Sequence, residues 1–372
     1  MKLPIGIQTF SEIRENGYLY IDKTKQIHQV LNGGKYYFLS RPRRFGKSLL
    51  LSTMKSLYEG RKDLFKGLWI EDNWNWERQV PVIHVQFSKA DYQGKGLDNA
   101  ILGIVNTNAK NLGVELEETS FKSRFAELIQ KAAEQNTSGK VVLLIDEYDK
   151  PIIDYLDDIP QANANRKILK SFYSVLKDSD PYLELVFITG VSRFAKTSIF
   201  SDLNNLTNLT MHPLSTDLLG ITPSEVKEYF TDAIIAIAQQ QNRTKEALSE
   251  QIRFWYNGYS WDGIHKVYNP FSLLSYFLAK EFKNFWFETG TPTFLVNTMR
   301  HQKVFNINNF RATDTTLDSF NIESLNTTTI LFQTGYLTID KKLGIGAYQL
   351  RYPNHEVTVS YTHLTLPTIC SV

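Results

Sequence analysis

A single cysteine, Cys370, is all the thiol chemistry that this 372-residue sequence holds. An internal disulfide and a multi-cysteine zinc site are therefore both excluded. The seven histidines are scattered without a His-x-x-x-His pair, which leaves no basis for a histidine metal site. Charge of one sign is missing as well. The 41 Lys and Arg against 39 Asp and Glu leave a net +2, too little for a whole-surface attraction to nucleic acid or to an anionic membrane. No apolar run is long enough to span a bilayer, and the opening Met-Lys-Leu-Pro is not a secretory signal. A soluble cytoplasmic protein with no membrane partner is expected. Internal repeats and low-complexity linkers are also absent. What remains is ordinary globular composition, 42% hydrophobic and 22% charged, at a length that suits two domains and a fragment of a third. Aromatics reach 13%, mostly Phe and Tyr, and are read as core.

The stretch that organises the chain runs from Tyr36 to Tyr58. An apolar run, Tyr36 to Leu39, ends in a short loop closed by Gly46-Lys47-Ser48. Helix-spaced apolar residues follow at Leu49, Leu50, Met54, Leu57 and Tyr58. Strand, loop and helix in that order are the context of a phosphate-binding loop, the Walker A motif. Backbone N–H groups at the loop and the helix N-terminus would wrap a β-phosphate, and the helix dipole favours its charge. The expected ATP-binding set is Arg41, Pro42, Arg43, Arg44, Phe45, Gly46, Lys47, Ser48 and Leu49. Lys47 would reach the β/γ oxygens, and the Ser48 hydroxyl would bind Mg²⁺. One departure is plain: Arg41 stands where glycine usually opens the motif. Arg41, Arg43 and Arg44 either touch phosphate or form a solvated basic loop.

A second signal lies at Lys140-Val-Val-Leu-Leu-Ile-Asp-Glu-Tyr-Asp149. Five consecutive apolar residues, Val141 to Ile145, fit a strand buried on both faces of a parallel sheet. The run stops at Asp146-Glu147, and the carboxyl ends of such strands are where open α/β sheets bind ligands. Paired with the upstream loop this reads as a Walker B motif. Asp146 would hold Mg²⁺ through water, and Glu147 would orient or deprotonate the attacking water. Asp149 stands one residue too far along for either role. A third buried strand, Leu183 to Thr189, ends in Gly-Val-Ser-Arg193. Thr189 and Ser192 are candidates for sensing a γ-phosphate, with Arg193 adding charge. The competing reading of Thr189 is a strand-end hydroxyl bonded to backbone. The expected catalytic residues are thus Glu147, Lys47, Thr189 and Arg193, with Ser48 and Asp146 at the metal.

Elsewhere, Asp22 or Thr24 caps a helix running to Leu31. Phe10 and Tyr20 either pack or lie beside a base. Val80 to Phe87 has strand character, and helices are expected around 97–112 and 119–136. Phe194 to Thr210 reads as irregular. Thr222-Pro-Ser-Glu225 is a capping box, followed by helical stretches at 231–241 and 244–256, an aromatic turn from Trp255 to Gly263, and a helix from Asn269-Pro270. Strands are expected at 333–339 and 347–352, with 341–346 as their turn. The expected fold class is α/β: a P-loop NTPase core with a parallel sheet, then a mostly helical lid region and a short strand pair.

With both nucleotide motifs placed, the sequence resembles a family of bacterial AAA-ATPase-like proteins that often carry a C-terminal PD-(D/E)XK nuclease-like domain. The resemblance rests on Tyr20-Ile-Asp-Lys-Thr, Leu39-Ser-Arg-Pro-Arg-Arg-Phe-Gly-Lys-Ser, Leu144-Ile-Asp-Glu-Tyr-Asp-Lys-Pro and Ile188-Thr-Gly-Val-Ser-Arg-Phe. It extends through Tyr256-Asn-Gly-Tyr, Tyr268-Asn-Pro-Phe-Ser and Gln333-Thr-Gly-Tyr-Leu, so it spans about residues 4 to 357. It implies that the missing first glycine is a family trait. The leading expectation is an Mg²⁺-dependent ATPase that drives or switches a missing nuclease-like effector, with a nucleotide-binding scaffold of little turnover, or a DNA-processing enzyme in the full-length gene, as the alternatives. A homo-oligomer stays open as a partner, as does nucleic acid through the downstream domain. Expected boundaries are 1–220 for the ATPase domain, 221–300 for the lid, and 301–357 for a linker and the start of a truncated domain. Residues 358–372 resemble sequencing-adapter read-through and are expected to be a non-native tail. Nuclease activity is not expected here, because the nearby Glu225-Val-Lys227 string belongs to a helix start.

Overall fold

Alternation along buried strands decides the architecture. In a computed structural model, which describes residues 2–193, 199–200, 203, 205–286, 310–318 and 326–360, the first five strands form one all-parallel sheet. They are β1 (Tyr36–Ser40), β2 (Val82–Gln86), β3 (Val141–Asp146), β4 (Leu183–Gly190) and β5 (Thr207–Asn208), in the spatial order β2-β3-β4-β1-β5. Every residue of β1 and β3 is buried. Because side chains alternate between faces, Phe38, Leu143, Ile145 and Ile188 enter one core while Leu39, Leu144 and Phe187 enter another.

Helices fill both faces. The short α1 (Phe10–Glu15), α2 (Thr24–Leu31) and α3 (Lys47–Tyr58) supply residues to the Leu39 core. On the opposite face lie α4 (Tyr92–Lys95), α5 (Leu97–Leu112), α6 (Phe121–Glu134), α7 (Lys150–Ile153) and α8 (Ile159–Asp178). A third core belongs to α9 (Pro223–Gln240), α10 (Lys245–Tyr256) and α11 (Pro270–Ala279), with Phe230 stacked on Phe277 at 4.4 Å. Leu3, Ile5, Leu19 and Ile21 of the N-terminal segment pack against it, so the chain start bridges the sheet unit and these helices. The hairpin β6 (Asn257–Tyr259) and β7 (Val267–Tyr268) follows α10. A small antiparallel sheet holds β8 (Arg311–Thr313), β9 (Thr338–Gly344) and β10 (Ala347–Arg351) in the order β8-β10-β9, accompanied by α12 (Asp314–Asp318) and α13 (Thr327–Thr334).

The α/β class, the parallel core and the helical region stand as expected. Several local expectations do not. Thr24 is the first helical residue rather than a cap, and Asp22 Oδ1 accepts both its N–H and its hydroxyl. The stretch at 231–241 is not a separate helix but the continuation of α9, whose Thr222–Glu225 capping box is formed as expected. Gln333 lies in α13, not in a strand, because Asn326 caps a helix ahead of it. The pair β9–β10 has a third member, β8, which no sequence pattern announced. Within the stretch expected to be irregular, Thr207–Asn208 adds to the sheet edge beside β1. At the chain end, residues 355–360 are helical and Ser360 is buried, its hydroxyl donating to Asn284 Oδ1 at 2.8 Å. The rest of the expected foreign tail, Cys370 included, lies outside the described residues.

A candidate phosphate-binding cleft

Strand register brings the candidate residues to one edge of the sheet. Leu39 of β1 lies opposite Thr189 of β4, Ser40 opposite Gly190, and Ile145 of β3 opposite Ile188. The loop after Ser40 and the acids after Ile145 therefore leave the sheet at the same level, with β4 between them. The order β3-β4-β1 also places this edge where connections depart in opposite directions, the usual ligand position of open α/β sheets.

The loop at 41–46 turns tightly. Arg44 and Gly46 both adopt left-handed backbone, with φ of 69° and 90°. A Cβ on Gly46 would meet only Leu219 at 3.9 Å, so glycine is required by conformation rather than by space. Helix α3 starts at once, and its N-cap Gly46 makes no side-chain cap bond. Lys47 is buried, and its Nζ donates to Arg41 O at 2.8 Å and to Pro42 O at 3.0 Å. Burial lowers the ammonium's pKa, while Glu147, Asp146 and Asp149 pull it back up.

A cleft of about 360 Å³ opens here, lined by Arg43, Arg44, Lys47, Ser48 and Glu147. Residues 4–8 and Phe271 close its other side, and the Arg44 guanidinium sits over the Phe271 ring at 4.9 Å. Next to it is an almost wholly apolar pocket of about 110 Å³. The two share Pro4, Gly46, Leu49, Pro270 and Leu274, and the apolar one is walled by Tyr20, Ile21, Phe45 and Ile221. Tyr20, read as packing or base-adjacent, thus lines a cavity as well as packing on Phe10.

Behind the cleft the acids divide their work. Asp146 is buried, and its Oδ1 accepts the Thr189 hydroxyl at 2.8 Å. The Thr189 hydroxyl also lies 3.3 Å from Ile145 O, so it is bonded both to backbone and to the acid. Glu147 is a non-glycine residue at φ 53°, a strained conformation that persists only where surroundings impose it. Asp149 accepts the N–H groups of Val191 at 3.0 Å and Ser192 at 2.5 Å, and burial pushes its carboxyl up to about 6. It braces the end of β4, a role that sequence reading did not assign. Arg193 follows, its N–H donating to Gln333 Oε1 at 3.2 Å.

The loop residues do not all face the cleft. Arg41 is 1% exposed and donates to Ser40 O, Thr210 O, Ser215 O and the Ser215 hydroxyl, with its guanidinium 3.9 Å from the Trp261 ring centre. Neither phosphate contact nor a solvated loop describes it; it is a buried brace. Phe45 is buried edge-on against Tyr259 and Trp261. Pro42 and Arg193 line a separate small cavity with Arg41 and Gln333. Lys150, Phe271 and residues 4–8 join the cleft as well; Lys150 and Phe271 were present only inside the Asp-Lys-Pro and Asn-Pro-Phe-Ser strings, and residues 4–8 carried no motif.

Among the described residues no helix is long and apolar enough to cross a membrane, and no group of three or more His, Cys, Asp and Glu is placed to hold a metal ion by itself. The AAA-ATPase-like family, described as predicted AAA-ATPase, matches residues 4–200. An uncharacterized protein in the vnfD 5' region of Azotobacter chroococcum mcd 1 is 41% identical over 374 residues, spanning 98% of this chain and 70% of that protein.

Proposed function

The chain belongs to the predicted AAA-ATPase family, and on that premise we propose that it binds ATP with Mg²⁺ and hydrolyses the terminal phosphoanhydride bond. The observation that carries this reading is a single cleft shared by the buried Lys47, Ser48 and the strained Glu147. Phosphates entering it meet the N-terminus of α3 and the Arg43 and Arg44 side chains. Lys47 then exchanges two neutral carbonyl acceptors for charged β/γ oxygens, a stronger pairing in a site of low polarity. The triphosphate charge also restores the basicity that burial takes from this lysine.

Ser48 and Asp146 would hold Mg²⁺. The donor set fits, because Mg²⁺ in phosphate sites takes one or two protein oxygens and keeps waters and phosphate oxygens for the rest. The ion would shield the charge on the phosphate oxygens. Thr189 keeps one Asp146 oxygen occupied and so fixes that carboxylate's orientation. Glu147 accepts a proton from water as its oxygen bonds the γ-phosphorus. The bond to the β–γ bridging oxygen breaks and its electron pair leaves with ADP. Arg193 adds positive charge at the end of β4. Adenine is favoured as the base by the adjoining pocket, whose apolar walls suit a flat ring with little polar recognition.

Two variants test the reading by calorimetry and steady-state turnover. Glu147→Gln should bind ATP as wild type does and lose about 10²-fold or more in turnover, the range of a positioned general base. Lys47→Ala should weaken ATP binding itself. Equal turnover in the first variant would remove Glu147 as the base, and unchanged affinity in the second would remove the phosphate-loop assignment.

A further inference from the structure

We propose that Gln333 is a positioning residue for ATP turnover, holding the turn after β4 through the Arg193 N–H while α13 grips the phosphate loop. The inference rests on the ATPase reading above. After Gly190, three consecutive backbone N–H groups each find a side-chain acceptor. Val191 and Ser192 donate to Asp149, which the Asp-Glu-Tyr-Asp run itself supplies. Arg193 donates to Gln333, 140 residues away in sequence. The Gln333 amide is fixed at its other end too, since Nε2 donates to Leu317 O at 3.0 Å. Gly190 adds to the tightness: a Cβ there would lie 2.6 Å from the Tyr148 ring, and the Tyr148 hydroxyl donates to Ser192 O.

The same helix reaches the phosphate loop. Gly335 ends α13 in left-handed backbone at φ 93°, and a Cβ on it would lie 2.9 Å from Pro42. One element thus touches both the loop that carries Lys47 and the strand end that carries Thr189 and Arg193. Gln333 and Arg193 both line the small cavity beside the cleft, with Arg41 and Pro42 of the phosphate loop, so Gln333 acts through the turn and the loop rather than on the nucleotide. Fixing that N–H holds the turn after β4 beside the phosphate loop, and the placement of groups around the phosphates matters to a transition state more than to ground-state binding.

The test uses the full chain. Gln333→Leu keeps the volume and removes both hydrogen bonds, whereas Gln333→Glu keeps an acceptor for the Arg193 N–H. Amide hydrogen exchange at residues 191–193 should speed up in the leucine variant and return toward wild type in the glutamate variant. The value of kcat should fall about tenfold in the leucine variant, the scale of one buried hydrogen bond, with KM for MgATP within about twofold, and recover in part with glutamate. Unchanged exchange at 191–193, or a rise in KM at constant kcat, would overturn the proposal. A wild-type chain with no turnover would instead overturn the ATPase reading, and the exchange comparison alone would then decide whether the brace exists.

Discussion

Arg41 carries an unexpected load for a residue in the loop between β1 and α3. Four oxygens and the Trp261 ring receive its guanidinium, and none of these partners is a carboxylate. Burial without a counter-charge pulls its pKa down to about 9, so it stays charged at neutral pH. Its own carbonyl meanwhile accepts from Lys47. Arg41→Gly would place the usual loop residue here, yet it should destabilise the fold by roughly 3 kcal/mol, because buried carbonyls lose a charged donor and a void opens beside Trp261. Urea unfolding measures this. A variant as stable as wild type would mean that the brace is dispensable and that the arginine is there for another reason.

At the scale of elements, the start of α9 is tied to the N-terminal segment. Lys23 pairs with Glu225 at 2.6 Å, with both side chains about nine-tenths buried, and also donates to Asp217 O at 2.8 Å. Glu225 meanwhile accepts the Thr222 N–H within the capping box. This accounts for the Glu225-Val-Lys227 string without any metal chemistry. Breaking such a pair leaves one charge buried and unpaired. Lys23→Met should therefore cost about 3 kcal/mol at pH 7, and Glu225→Gln a similar amount, while the double variant should cost far less than their sum. A double-mutant cycle in denaturant reads the coupling. Strict additivity would show that the two side chains contribute independently.

For the whole molecule, pH is the informative variable. Glu356 is fully buried, accepts the Trp286 N–H at 2.9 Å, and is pushed up to about 7 mainly by loss of solvent. A carboxyl raised in the folded state favours folding below its unfolded value near 4.5, and that contribution fades as pH climbs through 7. Asp149, raised to about 6, has the same sign, whereas Asp180 and Asp262 are lowered and oppose it. Glu356→Gln keeps an oxygen for Trp286 and removes the titration. It should raise stability at pH 8 by up to about 3 kcal/mol, with little effect near pH 4.5. Urea midpoints at pH 5.5 and 8 decide; an identical pH slope in both proteins would show that Glu356 does not titrate in this range.

The sequence by itself determined whatever depends on neighbours along the chain. The all-apolar run Val141–Ile145 demanded a two-sided strand, and Gly46 with Lys47 and Ser48 demanded a tight turn into a helix, because burial pattern and backbone freedom are local properties. The acids at 146 and 147 were legible for the same reason: a buried strand that stops in carboxylates advertises its end. Tertiary structure decided which of these residues share the cleft. Only the insertion of β4 between β1 and β3 sets Thr189 against Asp146, and only packing across the chain turns Arg41 inward, gives Asp149 the β4 turn, and brings Gln333 and Gly335 to Arg193 and Pro42. Those contacts join residues tens to more than a hundred positions apart, and no local periodicity encodes a partner at that distance.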